Sequence, residues 1–287
     1  MGADCIRHCQ EVKVLIESPA FITFADGRYA WRATGRRILR QASGSGYFSS
    51  STLKNSQDPT RTREFGEMDS AARGFGYWRW KPQIVYQQLQ SLPSSVPGLW
   101  YVDAGCTIFN SSEAKSRMEE YLEFGLANQV GTFFQLSKSF SDLSYTKRLT
   151  HATIPISLER QKEGQVQATA FFIANSSGGK ELVSQWASLS RHAELFDDSS
   201  NIASEYCPAG QYVDHRHDQS VLSLLVKSRD IALLPDELNQ DRKTTVLEQT
   251  ENRVSVPIVA TRHKSTFSTL SMNPMLRAVR ALEGLIP

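Results

Sequence analysis

The run from Gly98 to Asn110, GLWYVDAGCTIFN, limits the architecture of this chain more than any other stretch. Leu99, Trp100, Tyr101 and Val102 form a short apolar block that ends in a carboxylate, Asp103, and a small-residue break, Ala104-Gly105-Cys106. An apolar run of this length bounded by turn residues predicts a buried strand. An ionised Asp is costly in the middle of such a strand. It fits at the C-terminal edge, which in open α/β sheets is where ligands bind. The small residues after Asp103 let a metal or a phosphate come close to the backbone. The plainer alternative is an Asp that starts a turn.

The order of the other segments places this strand in an α/β sheet. Phe21 to Ala25 reads as a first buried strand, broken by Asp26-Gly27. Tyr29 to Ala42 has Trp31, Ile38 and Leu39 on one side of a helix, Gly44-Ser45-Gly46 ends it, and Tyr47-Phe48 begins a second strand. Strand, crossover helix and strand imply parallel pairing. Pro82 suits the first turn of a helix running on from Gln83 to Leu92, and Leu99 to Val102 then becomes a third parallel strand. Glu113 to Leu126 is predicted helical, Val166 to Ile173 a strand, Asn175 to Gly179 a loop, and Lys180 to Ser190 a helix. A last helix begins near Gln219, while residues 130–160 carry no clear period. With 287 residues, 40% of them hydrophobic, the chain is long enough for one large α/β domain. That domain is predicted over residues 19–267, after a polar N-terminal extension (1–18) and before an amphipathic C-terminal helix (268–287).

Charge and cysteine usage narrow the function classes. The 32 basic residues nearly balance 30 acidic ones, so a nucleic acid is not the expected partner. Local clusters, Arg32-Arg36-Arg37-Arg40 and Arg61-Arg63-Arg73, suit the phosphates of a small ligand, though solvated helix faces look the same in sequence. Cys5, Cys9, Cys106 and Cys207 are too few and scattered for a disulfide framework, and Cys5, His8 and Cys9 lack the second pair that a metal finger needs. No signal pattern opens the chain and no run approaches the ~20 apolar residues of a membrane span. The expectation is a soluble, cytoplasmic protein. Its cationic C-terminal helix is suited either to peripheral contact with the inner membrane face or to docking on its own core.

Two further constellations carry chemistry. Asp214-His215-Arg216-His217-Asp218-Gln219 lies just before an apolar helix, whose N-terminal dipole stabilises a carboxylate. The alternative is a polar capping loop. Tyr77-Trp78-Arg79-Trp80-Lys81-Pro82 alternates aromatic and basic residues and is able either to stack a ring and hold a phosphate or to bury its tryptophans in the core.

Taken in order, the F-G-Y-W-x-W-K-P, Y-x-D-A-G and R-H-D-Q-S segments resemble small bacterial glycosyltransferases of the GT-A fold. They are more distantly similar to the glycogenin-like family 8 group. The resemblance spans roughly residues 20–230. It implies a Rossmann-type domain with a mixed, mainly parallel sheet flanked by helices, and transfer of a sugar from a nucleotide-diphosphate donor, a UDP-sugar first, to a glycan or lipid-linked saccharide in cell-surface polysaccharide synthesis. It assigns Phe24, Ala25 and Asp26 to the base and ribose, and Arg37, Lys81, Asp103, Ala104 and Gly105 to the rest of the donor. Asp218 and Gln219 become the catalytic pair near the anomeric carbon. Trp78, Trp80, Gln165, Gln167 and His217 fall on the acceptor side.

Asp103 occupies the first position of the D-x-D signature that holds Mn²⁺ or Mg²⁺ on the diphosphate. Gly105 stands where the second carboxylate belongs, so either a distant ligand such as His263 completes the shell or cationic residues take the metal's place. Gly105 also keeps open a rival from another class, a catalytically inactive nucleotide-sugar or glycan-binding protein of the same fold. A nucleotidyltransferase is disfavoured, because Ala25-Asp26-Gly27 is a poor phosphate loop. Donor sugar, linkage, stereochemistry and oligomeric state are open at this point.

Overall fold

The computed structural model describes residues 17–27, 29–56, 73–199, 212–239 and 254–261. Nearly all of the predicted N-terminal extension, the C-terminal helix over 268–287, and His263 lie outside the described residues.

A five-stranded sheet organises the chain. Its strands are β1 (Ala20–Phe24), β2 (Ser50–Lys54), β3 (Gly98–Val102), β5 (Gly131–Thr132) and β7 (Ala170–Ala174), in the order β2-β1-β3-β7-β5. β2, β1 and β3 pair in parallel, with Ile22 opposite both Thr52 and Tyr101. β7 runs against β3 with Trp100 opposite Phe172, and β5 runs against β7. Every strand except β7 therefore shares one direction, which makes the sheet mixed and mainly parallel. Two short ladders stand apart: β4 (Thr107–Ile108) with β9 (Ile258–Val259), and β6 (Phe134–Gln135) with β8 (Leu234–Pro235).

Strand alternation divides the core in two, since successive side chains leave opposite faces. Ile22, Phe24, Leu99, Tyr101, Phe171 and Ile173 point to one face. They meet α2 (Trp80–Gln90), α7 (Ser177–Leu189) and α8 (His217–Lys227) through Ile84, Val85, Leu182, Trp186, Val221 and Leu225. Phe21, Trp100, Val102 and Phe172 point to the other face, against Ile38 of α1 (Tyr29–Ser45) and Met118 and Tyr121 of α3 (Ser112–Ala127). Covering both faces is what a sheet of continuous apolar strands requires. Each such side chain contributes about 1.5–3 kcal/mol on burial.

Several segments differ from the sequence reading. The second strand starts at Ser50, not at Tyr47; the Tyr47 hydroxyl instead donates to Phe109 O at 2.6 Å. β2 is a polar edge strand whose residues are partly or fully exposed, so no apolar run marked it. The Val166–Ile173 block is strand only from Ala170; before that, Gln165 to Ala168 form a buried irregular crossing. The Asn175–Gly179 stretch is in part helix: Ser176 caps α7 by accepting the Gly179 N–H at 3.1 Å, and the glycines lie in its first turn. Residues 138–161 break into short turns, with α4 (Asp142–Tyr145), α5 (Arg148–Thr153) and α6 (Leu158–Gln161), too short for a helical period to register.

Candidate active site at the strand ends

The parallel strands end on one edge of the sheet, and β3 carries Asp103 there. Its N–H donates to Thr169 O at 2.8 Å and its C=O accepts from Cys106 N at 2.9 Å, so a tight turn follows the strand. That turn is braced from outside. Arg37 donates to Ala104 O (2.9 Å) and Cys106 O (2.6 Å), and Thr261 Oγ1 donates to Gly105 O (3.0 Å). Arg37 thereby shapes the loop that presents the carboxylate.

The side chain of Asp103 meets a buried lysine. Lys81, in the first turn of α2, is 2% exposed. Its Nζ lies 3.2 Å from Asp103 Oδ1 and 2.7 Å from Asp218 Oδ2, and donates to Ala168 O at 3.0 Å. The Tyr101 hydroxyl, two residues back on the same face of β3, donates to Asp103 Oδ1 at 2.6 Å. The ammonium also sits 4.9 Å from the Tyr101 ring centroid. Burial alone pulls the Lys81 pKa down, but Asp103 and Asp218 together outweigh it and hold the group above its ordinary range. Burial pushes the Asp218 carboxyl up against the pull of Lys81, and the nearby Asp103 charge adds to the rise.

The two carboxylates differ in access. The Asp103 side chain is 35% exposed and that of Asp218 only 7%. Asp218 sits in the first turn of α8 and meets the ammonium as an ion pair without an aligned hydrogen bond. Its neighbour Gln219 donates to Gln165 Oε1 at 2.8 Å. Gln165, fully buried, in turn donates to Tyr145 O, Thr146 Oγ1 and Ser220 Oγ. Gln167 donates to Asp236 Oδ1 at 2.5 Å on a different side of the crossing. The two glutamines are thus bound into the frame rather than turned together toward one cleft.

The other residues singled out from the sequence separate into frame and rim. Phe24 stacks on Trp80 with ring centroids 3.9 Å apart, and both are buried, so neither offers a free face. Ala25 is buried on the opposite side of the sheet, in the other core. Asp26 accepts from Gly27 N and Ser56 N, both at 2.6 Å, and lies 3.4 Å from Arg32, which ties together the loops after β1 and β2. Trp78 packs on His217 with centroids 5.4 Å apart.

Gly74 to Trp78 form a left-handed turn. Gly74, Phe75, Gly76, Tyr77 and Trp78 all have φ between 56° and 88°. Left-handed geometry costs an L residue roughly 1–2 kcal/mol, and a Cβ on Gly74 would collide with the Trp78 ring. The Trp80 indole N–H donates to Gly74 O at 3.0 Å and helps hold the turn. The Gly-x-Gly spacing was the available signal for this geometry. Tyr101 was legible only as a strand residue.

Beyond His217 the frame is again polar. His217 Nδ1 lies 2.6 Å from Phe196 O. His215 Nδ1 accepts the Lys147 N–H at 3.3 Å, which leaves Nε2 to donate to Leu195 O at 3.0 Å and fixes the neutral tautomer. Burial pushes the His215 pKa down to about 3.

The divalent ion implied by the family resemblance meets a poor donor set. Among the described residues no group of three His, Cys, Asp or Glu is arranged to hold a metal. Gly105 offers no side-chain oxygen, and Asp103 Oδ1 already receives a phenol and an ammonium. The cation between the two carboxylates belongs to the chain itself. No helix among the described residues is long and apolar enough to cross a membrane.

Solved structures similar to this chain include mouse xyloside xylosyltransferase 1 in its apo form. That likeness is 10% identical, covers 85% of this chain and 97% of that one, and has a TM-score of 0.45. A glycosyltransferase involved in glycosylation of the major capsid of PBCV-1 is also 10% identical, over 69% of this chain and 82% of that one, with a TM-score of 0.38. No protein-family description matches the sequence, and neither does any curated protein.

Proposed function

We propose that this protein is a glycosyltransferase of the GT-A type, moving a sugar from a nucleotide-diphosphate donor, a UDP-sugar first, to a hydroxyl of a glycan or lipid-linked saccharide in cell-surface polysaccharide synthesis. The observation that carries the reading is the meeting of Asp103 and Asp218 on one buried ammonium at the C-terminal edge of the parallel strands, where open α/β sheets bind ligands. Two carboxylates and one ammonium leave the cluster with a net negative charge. Such a cluster favours the cationic character that grows at an anomeric carbon as its bond to the diphosphate breaks. The acceptor oxygen forms the new bond to that carbon, the nucleoside diphosphate leaves with the bonding pair, and the hydroxyl proton passes to a carboxylate or to the departing phosphate.

Within this reading Asp103 is the carboxylate with access to substrate. Asp218, joined to it through Lys81, is a positioning residue, and Gln219 anchors the crossing behind it. Arg37, Ala104 and Gly105 form the loop under the diphosphate. Peripheral membrane contact and the inner-face location remain parts of the proposal, resting on the cationic tail of the sequence.

The deciding measurement is donor binding and turnover across UDP, GDP, CMP and dTDP sugars, with and without Mn²⁺ and with a mixed glycan acceptor. Turnover of one donor that Asp103→Asn removes is the expected result. Binding without turnover under every condition favours the rival, a nucleotide-sugar or glycan-binding protein, which the glycine at position 105 and the poor donor set around Asp103 support. Neither binding nor turnover would remove both readings.

A further inference from the structure

The structure has a second polar feature that none of the roles above uses. A cavity of about 370 Å³ is lined by Arg73, Lys147, Asp197, Asp198, Tyr212 and Asp214, together with Ser199 and His215. Its volume is at the low end of ligand pockets, about 300–1,000 Å³, and suits one or two sugar rings. The lining is dense in donors and acceptors and includes a phenol. Two cations face three carboxylates, and His215 is neutral, its pKa held near 3 by burial. The excess carboxylate disfavours a phosphate or diphosphate.

Part of the lining is already fixed. Lys147 donates to both Asp197 O and Asp197 Oδ1 at 2.9 Å, and Arg73 reaches Asp214 only at 3.8 Å. The Asp198 side chain is 46% exposed. Next to it is a polar atom without a hydrogen bond: His217 is 3% exposed, its Nε2 is buried with no hydrogen-bond partner, and that atom lies 3.8 Å from Asp198 Oδ1. A buried ring nitrogen in that state costs stability, and it lies behind Asp198 rather than in the cavity lining. The next residue along the chain is Asp218, which joins the carboxylate–lysine cluster.

We infer that this cavity is a binding site for a neutral saccharide, recognised by Asp198, Tyr212 and Asp214. If the chain is a glycosyltransferase, this is where its acceptor lies. The acceptor role rests on the proposed function, whereas the saccharide chemistry of the cavity does not.

The test uses the full chain. Methyl glycosides of xylose, glucose, galactose, mannose and N-acetylglucosamine, with lactose and maltose, are titrated by saturation-transfer NMR beside a panel of nucleotide sugars. At least one neutral glycoside should bind and lose about tenfold or more in affinity in both Asp198→Ala and Tyr212→Ala. The affinity for the nucleotide sugar should stay within about twofold. Both positions are partly exposed, and thermal unfolding checks that the variants fold.

If no glycoside binds while a nucleotide sugar does, the cavity proposal falls and the transferase reading stands. The proposal also falls if either substitution weakens the nucleotide sugar as much as the glycoside, since the cavity then belongs to the donor. Tighter binding of a sugar phosphate than of its neutral parent would overturn it too. Glycoside binding lost in both variants, with no nucleotide sugar bound at all, keeps the cavity and removes the transferase.

Discussion

Two of the lysine–carboxylate clusters among the described residues are built from the same groups, and they differ in what they leave over. Lys227 and Asp142 are wholly buried. Lys227 donates to Asp142 Oδ2 at 2.7 Å and to Arg160 O and Glu163 O at 3.1 and 3.2 Å, while Asp142 also accepts from Ser223 and Thr146. Every strong donor and acceptor there is answered from within, across α4, α6 and α8. Lys81 is equally buried but holds its solvent-open second carboxylate, Asp103, at 3.2 Å, whereas the exposed Glu163 carboxylate stands off from Lys227 at 3.9 Å. The closed cluster joins elements; the open one holds a charged oxygen at the surface with its partners already in place. Burial of a charge therefore says little about function until the leftover valences are counted.

The largest effect should come from breaking the closed cluster. Lys227→Met leaves Asp142 buried and unpaired, and urea denaturation should show a loss of about 3–5 kcal/mol. Specific activity per folded molecule should hold, and the double change with Asp142→Leu should recover much of the loss. A loss under about 1 kcal/mol would erase the contrast. Asp103→Asn tests the open cluster in the opposite sense: turnover should fall about 10²–10³-fold, with unfolding free energy within about 1 kcal/mol of wild type.

A third measurement uses pH to probe a buried group outside both clusters. The unfolded chain protonates His215 near its ordinary pKa of about 6.5, whereas the folded ring stays neutral down to about 3. Because the unfolded state binds the proton first, this residue makes stability fall as pH drops through that window, by about 1.4 kcal/mol per unit. His215→Gln should flatten that slope in urea midpoints taken between pH 6.5 and 4.5, and an unchanged slope would refute the assignment. The smallest effect is expected from Tyr101→Phe, which removes one hydrogen bond to Asp103. It should cost about 0.5–1.5 kcal/mol, read as a several-fold loss of turnover with little change in donor affinity.

The sequence disclosed the parts of the fold whose burial is strongest. β1 and β3 are continuous apolar runs, and α3, α7 and α8 carry periodic apolar faces, so both their type and the parallel pairing of β1 with β3 could be read directly. β2 escaped because Ser50 to Lys54 are partly or fully exposed. The reversed direction of β7 escaped because an apolar strand carries no mark of its orientation.

The meeting of Asp103 and Asp218 follows from two segments recognised separately. What lay between them did not. A lysine beside two tryptophans reads either as a cation holding a phosphate or as a solvated one, and only the packing of α2 against the sheet shows it buried. Trp80 reads equally well as a ligand platform or as core until Phe24 is found stacked on it. The cavity lined by Tyr212 and Asp214 also draws on Lys147, Asp197 and Asp198, polar positions in stretches with no period to betray them.

The left-handed turn from Gly74 to Trp78 has a consequence for chemical synthesis of the chain. At Gly76 the backbone stands at φ 88°, a region that the mirror-image amino acids enter as readily as ordinary residues enter a right-handed turn. A D-alanine placed there by peptide ligation would narrow the unfolded chain's choices toward the native one. An L-alanine at the same place would narrow them away from it.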